Sequence, residues 1–245
     1  MNIIKLNAID STNSYIKKLA FENSIENYTI VVADYQTAGR GQMGTSWLSE
    51  QGENLTFSIL IRFDGFKIEN QFYLSIAVSL GIYTALNLNV KNLLFIKWPN
   101  DILAEKDKVT GILIENILSG DFIKQSIVGI GLNVNQDKFS KNLGNVTSLK
   151  KISGRNFDKD ELLIQVVNSI QYFCKYVEDE RFKELKELYL NALYKFNSPV
   201  MFEDKSGLVF MGKIIDVDKN GKLVVELENE TTRKFSLKEI KFASR

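Results

Sequence analysis

Residues 31–60 read VVADYQTAGRGQMGTSWLSEQGENLTFSIL, and this stretch decides the fold. It contains most of two runs rich in β-branched and aromatic residues, 28–35 and 54–62, which is the composition of β-strands. Between them lies a long polar loop with several glycines. We therefore expect two strands joined by a loop whose backbone can approach a ligand.

Arg40 lies among three glycines of that loop, Gly39, Gly41 and Gly44. Glycine permits positive φ angles and a close approach of the backbone to a ligand, and Arg40 brings a fixed cation to the same place. The spacing is also that of the G-x-G-x-x-G dinucleotide motif, which requires a helix directly afterwards. Because a strand-like run follows instead, we interpret the segment as strand, glycine loop, strand.

The composition is that of an ordinary globular protein. The 245 residues are 44% hydrophobic and 25% charged, enough for one large domain or a main domain with a small appendage. Thirty-one Lys and Arg against 30 Asp and Glu leave a net charge of +1, which gives no reason to expect DNA or a membrane as partner. Without an apolar run of membrane-spanning length or a signal peptide, we expect a cytoplasmic location.

The absence of histidine narrows the chemistry. It excludes Ser-His-Asp triads, Cys-His pairs and most zinc sites, so acid and base roles fall to Asp, Glu, Lys or Tyr. Cys174 is the only cysteine and lies in an apolar stripe at helical spacing. We expect it to be a core residue and not a nucleophile.

The remaining pattern predicts an α+β protein with two domains, residues 1–196 and 197–245. Strands are predicted at 2–6, 93–98, 109–118 and 122–133, and helices after the cap-forming residues 10–13, at 71–88, at 158–177 and from there to 196. From residue 200 onward, short strands at 208–217, 223–227 and 231–235, with a type I′ turn at Asn220-Gly221, predict a small β-barrel. Gly129 and Gly131 alternate along one strand, and we expect them to leave room on one face for something other than a side chain.

Three cations could meet if these strands form one sheet: Arg40, Lys97 and Lys108. The Pro-Asn-Asp turn adds Asn100 and Asp101, and together these groups could hold a triphosphate with Mg²⁺. Taken singly, the two lysines are typical surface residues and Asn100 and Asp101 are typical turn residues. Only their occurrence together indicates a site.

Five motifs follow one another along the chain: DSTN at 10–13, QTAGRG at 36–41, KWPND at 97–101, KVTGIL at 108–113 and GIGLNVN at 129–135. In order and spacing they resemble the motifs of the biotin protein ligases, or biotin–[acetyl-CoA-carboxylase] ligases, over nearly the whole chain. The resemblance implies a class II synthetase-like catalytic domain, a mixed sheet with helices packed on it, followed by an SH3-like β-barrel. It also implies that biotin and MgATP form biotinyl-5′-AMP, and that biotin then passes to a lysine of the carboxyl carrier domain of acetyl-CoA carboxylase.

The same resemblance implies roles for individual residues. Biotin would be bound by Ser11, Thr12, Asn13, Gln36, Gly39, Arg40, Gly41, Gln42, Lys108, Gly111, Gly129 and Gly131. ATP or the adenylate would be bound by Arg40, Trp47, Lys97, Asn100, Asp101 and Asn133, and catalysis would depend on Lys108, Arg40, Lys97 and Asp101. Asn100 and Asp101 would orient Mg²⁺, phosphate or the incoming lysine amine, and the sequence leaves these three roles open.

Two departures from the family pattern carry expectations of their own. The family loop is usually richer in arginine after its second glycine, whereas this chain has Gln42, Met43 and Thr45. We therefore hypothesise that the enzyme releases biotinyl-5′-AMP more readily than its arginine-rich relatives do. The chain also opens on the first catalytic strand, without the winged helix-turn-helix of repressor members, so we expect no operator binding.

Two other functions remain open at this point. One is a lipoate ligase or octanoyltransferase of the same fold, and the other is a non-catalytic binding module that uses the terminal barrel. Monomer and homodimer are both compatible with the sequence.

Overall fold

The computed structural model describes residues 1–90 and 93–243. In this part of the chain the strands are β1 (Ile3–Ile9), β2 (Ile30–Gln36), β3 (Leu55–Ile61), β4 (Leu94–Lys97), β5 (Asp101–Ala104), β6 (Asp107–Ser119), β7 (Phe122–Leu132), β8 (Pro199–Asp204), β9 (Val209–Val217), β10 (Leu223–Leu227), β11 (Thr232–Phe235) and β12 (Ile240–Phe242). The helices are α1 (Thr12–Glu22), α2 (Gln71–Asn87), α3 (Leu149–Ser153), α4 (Lys159–Glu178) and α5 (Phe182–Asn191).

The first sheet has seven strands in the order β1-β2-β3-β7-β6-β5-β4. Strands β1 and β2 pair in parallel, with α1 as the crossover that parallel neighbours require, and the other pairs are antiparallel. Strand β2 is followed by the glycine loop and then by antiparallel β3. The predicted strand, loop and strand is therefore confirmed, and the Rossmann alternative is wrong.

Each face of this sheet has its own apolar core. On one face α2, which is buried along most of its length, packs against α4, α5 and β4. On the other face α1 contacts β2, β3 and β7, and its Ile16 forms a small core with Val31, Leu60 and Ile127. All seven residues of β3 are buried because the strand is covered on both faces.

Helix caps match the residues that the sequence indicated. The Ser11 side chain accepts from the backbone N–H of Ser14 at the start of α1. Asp158 accepts from the N–H groups of Asp160 and Glu161 at the start of α4, which satisfies two donors that the first turn leaves free.

The second sheet is antiparallel with the order β11-β10-β9-β8-β12, the C-terminal β-structure that the sequence predicts. The type I′ turn at Asn220-Gly221 is wrong, since only Gly221 has a positive φ, 79°. The Asp218 carboxylate accepts from the N–H groups of Asn220 and Lys222, and this local bonding favours a different turn.

Other differences concern short elements. Asp101 begins β5 and does not end a turn, α3 lies within a segment that the sequence reads as irregular, and α5 ends at Asn191 well before residue 196. The domain division at 196/197 stays a prediction, and its second part includes Ser244 and Arg245, which lie outside the described residues. No helix between residues 1–90 or 93–243 is both long and apolar enough to cross a membrane.

Cys174 lies on α4 and is fully buried in the larger core. Burial raises the pKa of its thiol to about 12. A thiol that stays protonated at neutral pH is a poor nucleophile, so the prediction of a core residue is confirmed.

Candidate active site

A cavity of about 280 Å³ opens on the α1 side of the first sheet. Its walls come from the start of α1, the end of β2, the glycine loop, the starts of β3, β5 and β6, the end of β7 and the turn before β12. It is lined by Ser11, Thr12, Asn13, Gln36, Arg40, Gly41, Gln42, Met43, Thr45, Ser46, Trp47, Thr56, Phe57, Asn100, Asp101, Lys108, Gly111, Ile112, Leu113, Gly129, Ile130, Gly131, Leu237 and Lys238.

Strand register explains why distant residues share this cavity. Paired residues in neighbouring strands lie on the same face of a sheet. One such row across the sheet is Thr56, Gly131, Gly111, Asp101 and Lys97. A second row is Ser58, Gly129 and Leu113. Because glycine has no side chain, the glycines of both rows leave space directly above the sheet.

Polar groups form a connected network where α1 begins. The backbone N–H of Thr12 donates to Gln36 Oε1 at 2.7 Å, and the Thr12 hydroxyl lies 3.0 Å from the same oxygen. The fully buried Ser58 Oγ lies 2.7 Å from Thr12 Oγ1 and 2.6 Å from Asn13 Oδ1. Four of the residues that the resemblance assigns to biotin, Ser11 included, therefore lie together.

The glycine loop is closed by its own backbone. Trp47 N–H donates to the carbonyl of Gly39 at 2.9 Å, and Gly41 N–H donates to the carbonyl of Thr45 at 2.7 Å. A Cβ at Gly39 would collide with the Trp47 carbonyl, and one at Gly41 would collide with the Thr45 hydroxyl. These two glycines serve close backbone packing, and Gly39 does not line the cavity.

Of the three glycines around Arg40, Gly44 uses the positive φ that glycine permits, with φ 80°. The adjacent Met43 is also left-handed, with φ 52° and ψ 38°, and Gly52 near the end of the loop has φ 76°. The tip of the loop, with the side chains of Gln42, Met43 and Thr45, therefore turns at Met43 and Gly44 and stays largely exposed.

Arg40 stands at the edge of the cavity, with 46% of its side chain exposed. Its Nη2 lies 3.0 Å from Glu115 Oε2 and 3.3 Å from the Ser14 hydroxyl. The same guanidinium also lines a groove on the outer side of α1. Arg40 is thus held at the boundary between the cavity and that groove.

Lys108 and Asp101 form the opposite wall. Lys108 Nζ lies 2.7 Å from Asp101 Oδ1, and 5.8 Å from the centre of the Trp47 ring. A Cβ at Gly111 would lie 3.0 Å from Lys108 Nζ. The absence of a side chain at Gly111 therefore leaves the space that Lys108 uses.

Asn133 does not reach this cavity. It is buried, and its Nδ2 donates to the carbonyl of Thr147 at 3.0 Å. Thr147 N–H donates in turn to the Lys108 carbonyl, and Lys108 N–H donates to the carbonyl of Asn145. The amide of Asn133 therefore anchors the segment that holds the Lys108 backbone, and its predicted contact with the nucleotide has no support in this arrangement.

Lys97 also lies outside the cavity. It closes the first row of the floor beyond Asp101, and its Nζ lies 6.0 Å from the centre of the Phe242 ring. It lines an adjoining cleft that shares Asn100, Asp101 and Lys238 with the cavity. The three cations expected to converge are therefore two in the cavity and one beside it.

The space above the two alternating glycines is filled by side chains, contrary to expectation. A Cβ at Gly129 would collide with the Asn13 amide, and one at Gly131 would collide with the Trp47 indole. Both of these side chains line the cavity. The glycines thus leave room for the groups that would face a ligand.

Asn100 has a structural contact of its own. Its Nδ2 donates to the carbonyl of Ile112 at 2.7 Å, and the Ile112 N–H donates back to the Asn100 carbonyl. Within residues 1–90 and 93–243 no group of three His, Cys, Asp or Glu side chains could hold a metal ion. Asp101 is the one acidic side chain among the described residues that line the cavity.

Several lining residues are not among those that the resemblance assigns to biotin or ATP. They are Met43, Thr45, Ser46, Thr56, Phe57, Ile112, Leu113, Ile130, Leu237 and Lys238. Ser58 and Glu115, which bond to lining residues from behind, were missed as well. Lys238 comes from the second sheet, and its Nζ lies 3.3 Å from the Met43 carbonyl, a contact that no local pattern announces.

The arrangement suits a reaction between two bound molecules whose reacting oxygens carry negative charge. Arg40 and Lys108 can neutralise oxygens that carry negative charge, and the polar network at α1 can orient a neutral polar group. The exposed loop could cover an intermediate that water would hydrolyse.

The described geometry agrees with three comparisons. The model of the biotin/lipoate A/B protein ligase family matches residues 6–133. The chain is 32% identical over 241 residues to the bifunctional ligase/repressor BirA of Bacillus spizizenii, covering 96% of this chain and 72% of that protein. It is 38% identical over 127 residues to the biotin–[acetyl-CoA-carboxylase] ligase of Paracoccus denitrificans, 51% of each chain.

Among solved structures, the biotin protein ligase of Aquifex aeolicus in complex with biotin and ATP has a TM-score of 0.81 to this chain. The two are 30% identical, and the match covers 99% of both chains. Sequence, fold and site agree: the chain belongs to the biotin/lipoate A/B protein ligase family and is an enzyme of the biotin protein ligase type.

Proposed function

We propose that this enzyme joins biotin to ATP to form biotinyl-5′-AMP and pyrophosphate, and then transfers the biotinyl group to a lysine of a carboxyl carrier domain. The observation that carries the proposal is the meeting of Arg40 and Lys108, 68 positions apart in sequence, in one cavity with the polar network of Thr12, Asn13 and Gln36. The names of its relatives support the choice of biotin and ATP.

The polar network would hold the ureido end of biotin. A ureido group offers N–H donors and a carbonyl acceptor, and the network offers hydroxyl, amide and backbone groups of both kinds. Thr12 and Asn13 are buried, so a hydrogen bond made there is shielded from water. The apolar part of biotin would pack near Trp47 and Phe57, which also line the cavity.

The two cations would act at the other end of the ligand. Attack of the biotin carboxylate on the α-phosphate brings negative charges together, and Lys108 and Arg40 would neutralise them and align the reacting oxygens. Asp101 would keep the Lys108 ammonium in place through their 2.7 Å ion pair. Lys97 would contribute from the adjoining cleft.

Magnesium is part of the proposal only as an ion carried by the triphosphate. Mg²⁺ is commonly held by one or two carboxylates together with substrate phosphates. Asp101 fits that role, whereas the Asn100 amide already donates to the Ile112 carbonyl. The ion would offset phosphate charge when it is bound.

The remaining parts of the proposal rest on composition. We propose a cytoplasmic enzyme, since one cysteine allows no internal disulfide. A net charge of +1 supplies no excess of cations for DNA, so we propose no operator binding, with a gel-shift titration as its test. Division into domains at 196/197 belongs to the proposal as well.

Exchange of labelled pyrophosphate into ATP tests the first half-reaction. We expect exchange that depends on biotin and is absent with lipoate or octanoate. Exchange supported by lipoate, or octanoyl transfer without ATP, would favour the other branches of the family, and no activity with any acid would favour a binding module. Transfer of biotin to a carrier domain of acetyl-CoA carboxylase tests the second half-reaction.

A further inference from the structure

Glu115 stands behind the cavity, on the same face of the sheet as Gly129 and Leu113. Its Oε2 accepts from Asn13 Nδ2 at 2.7 Å and from Arg40 Nη2 at 3.0 Å. It lines the outer groove and does not line the cavity. Its influence on a ligand must therefore pass through the residues it contacts.

A carboxylate only accepts hydrogen bonds, and this decides how Asn13 is turned. Asn13 must direct its Nδ2 to Glu115, which leaves Oδ1 directed to the Ser58 hydroxyl at 2.6 Å. Asn13 and Ser58 are 3% and 0% exposed. The reverse orientation would set two acceptors against each other in a site with little water.

The orientation of Asn13 then fixes the protons further along. Ser58 is then the donor of the buried cluster, and its hydroxyl is directed to Asn13 Oδ1 and to Thr12 Oγ1, 2.7 Å away. The Thr12 hydroxyl donates in turn to Gln36 Oε1 at 3.0 Å, and both residues line the cavity. The Thr12 oxygen keeps a lone pair that an N–H donor of a ligand can use.

We propose that Glu115 is a positioning residue that fixes the donor and acceptor order of Asn13, Ser58 and Thr12, and so presents the Thr12 oxygen as an acceptor for a ligand N–H. The Arg40 guanidinium supplies the counter-charge at the same carboxylate. The choice of biotin as the ligand rests on the proposed function, because its ureido group would supply the N–H. The order of the hydrogen bonds does not depend on that choice.

Glu115→Gln tests the order in calorimetric titrations with biotin alone. A neutral amide at position 115 can donate to Asn13 and reverse the order of donors and acceptors in this network. Biotin should then bind about 10- to 100-fold more weakly. Glu184→Gln is the matched control, since Glu184 pairs only with Arg181 on the surface. Binding by Glu115→Gln equal to that of the control would overturn the proposal.

A second substitution separates hydrogen-bond order from packing. Asn13→Asp in the Glu115→Gln background places an acceptor-only group at position 13, which again forces Ser58 to donate to it. The double variant should regain at least tenfold of the lost affinity, whereas Asn13→Asp alone sets two carboxylates together and should bind biotin worst. A double variant weaker than both singles would contradict the assigned order.

A spectroscopic measurement needs no ligand. The side-chain amide protons of Asn13, identified in ¹⁵N–¹H spectra by their loss in Asn13→Asp, should shift in Glu115→Gln and stay in place in Glu184→Gln. Unchanged Asn13 signals in Glu115→Gln would overturn the proposal even in a protein that binds biotin. If biotin does not bind the native chain while these signals shift as expected, the proposed function fails and the hydrogen-bond order stands.

Discussion

Lys108 Nζ lies 2.7 Å from Asp101 Oδ1, and the two residues begin neighbouring strands, β6 and β5. The ion pair is partly buried, with 32% and 22% of the side chains exposed. Asn145 and Thr147 hold the Lys108 backbone from the other side. Lys108 is therefore fixed at both its backbone and its ammonium before any ligand arrives.

Lys108→Ala should slow adenylate formation by roughly 10²- to 10³-fold, the range for loss of one preorganised charge-stabilising group. Pyrophosphate exchange measures this rate. Lys106→Ala removes an exposed lysine from the preceding turn and should leave exchange unchanged. Normal exchange by Lys108→Ala would remove Lys108 from the site.

Asp101→Asn should slow exchange by about 10- to 100-fold, because the partly buried Lys108 ammonium would lose the carboxylate with which it pairs. If Asp101 acts through Lys108, the two substitutions will not add, and Lys108→Ala/Asp101→Asn will be about as slow as Lys108→Ala. Fully additive losses would assign Asp101 a separate role, such as a contact with Mg²⁺ or with the incoming amine.

Arg40→Gly should loosen the adenylate more than it slows its formation. Arg40 belongs to the exposed loop, and its side chain contacts Glu115 and Ser14 at the edge of the cavity, so it can turn to a phosphate that forms there. Single-turnover formation and filter-trapped release of biotinyl-5′-AMP separate the two effects. Arg40→Lys keeps the charge but lacks the planar guanidinium, so its rate of adenylate release should lie between the rates of the native protein and of Arg40→Gly. Unchanged release from Arg40→Gly would contradict the assigned role.

Gln42→Arg should retain the adenylate longer than the native chain does. Gln42 lines the cavity at a position where the resemblance predicts a basic residue. A cation there would attract the adenylate phosphate. Gln51→Arg makes the same change at an exposed position in the far part of the loop and should not alter release. A native release rate no faster than that of arginine-rich relatives would contradict the hypothesis of a leaky intermediate.

The sequence predicted the parts of this site that depend on local pattern. Strand composition and the missing helix after Gly44 excluded a Rossmann fold, and Ser11 and Asp158 marked helix starts by their capping chemistry. These features follow from a few neighbouring residues, so one chain is enough to infer them. The meeting of Arg40 and Lys108 in one site was implied by the resemblance of the motifs to the biotin protein ligases.

The rest of the site depends on register and on long-range packing. Ser58 and Glu115 were missed because only the pairing of β3, β7 and β6 brings them to the side chain of Asn13. The contact of Asn133 with the Thr147 carbonyl could not be predicted, because Thr147 lies 14 residues away in an irregular segment. The role of Asn133 toward the nucleotide stays a prediction. Lys97 was placed in the cavity although Phe242 of the second sheet lies close to it.

Cys174 should resist modification in the folded protein. Burial raises the pKa of its thiol to about 12, so the native chain should not react with a disulfide reagent at pH 8 and should react fully in denaturant. The native thiol keeps a proton that an unfolded thiol releases above about pH 8.5. This contribution to stability is complete below that pH and is lost as the pH rises towards 12.

Urea unfolding at pH 8 and pH 10 measures that contribution. The free energy of unfolding should fall more between these two pH values in the native protein than in Cys174→Ala, which lacks the titrating group. An equal fall in both proteins would show that other groups, such as the partly buried phenol of Tyr28, carry the pH dependence. Burial raises the pKa of Tyr28 as well.

Gly81→Ala tests the packing of α2 on α4 that supports the whole sheet. Alanine in a helix interior is usually more stable than glycine by up to about 1 kcal/mol. Here, however, a Cβ at position 81 would lie 2.6 Å from the Cα and 2.8 Å from the N of Ile170. Backbone atoms of a packed helix cannot rotate away, and overpacking of this kind costs about 1–3 kcal/mol.

The steric cost should therefore exceed the gain in helix propensity, and Gly81→Ala should lower the free energy of unfolding. Ser75→Ala on the same helix, at a position that is only half-buried, has no such clash and should be neutral or slightly stabilising. Thermal and urea unfolding of both variants decide the sign. A Gly81→Ala protein as stable as Ser75→Ala would mean that α4 can move away from α2 at little cost, and that the close contact at Ile170 does not fix the spacing of the two helices.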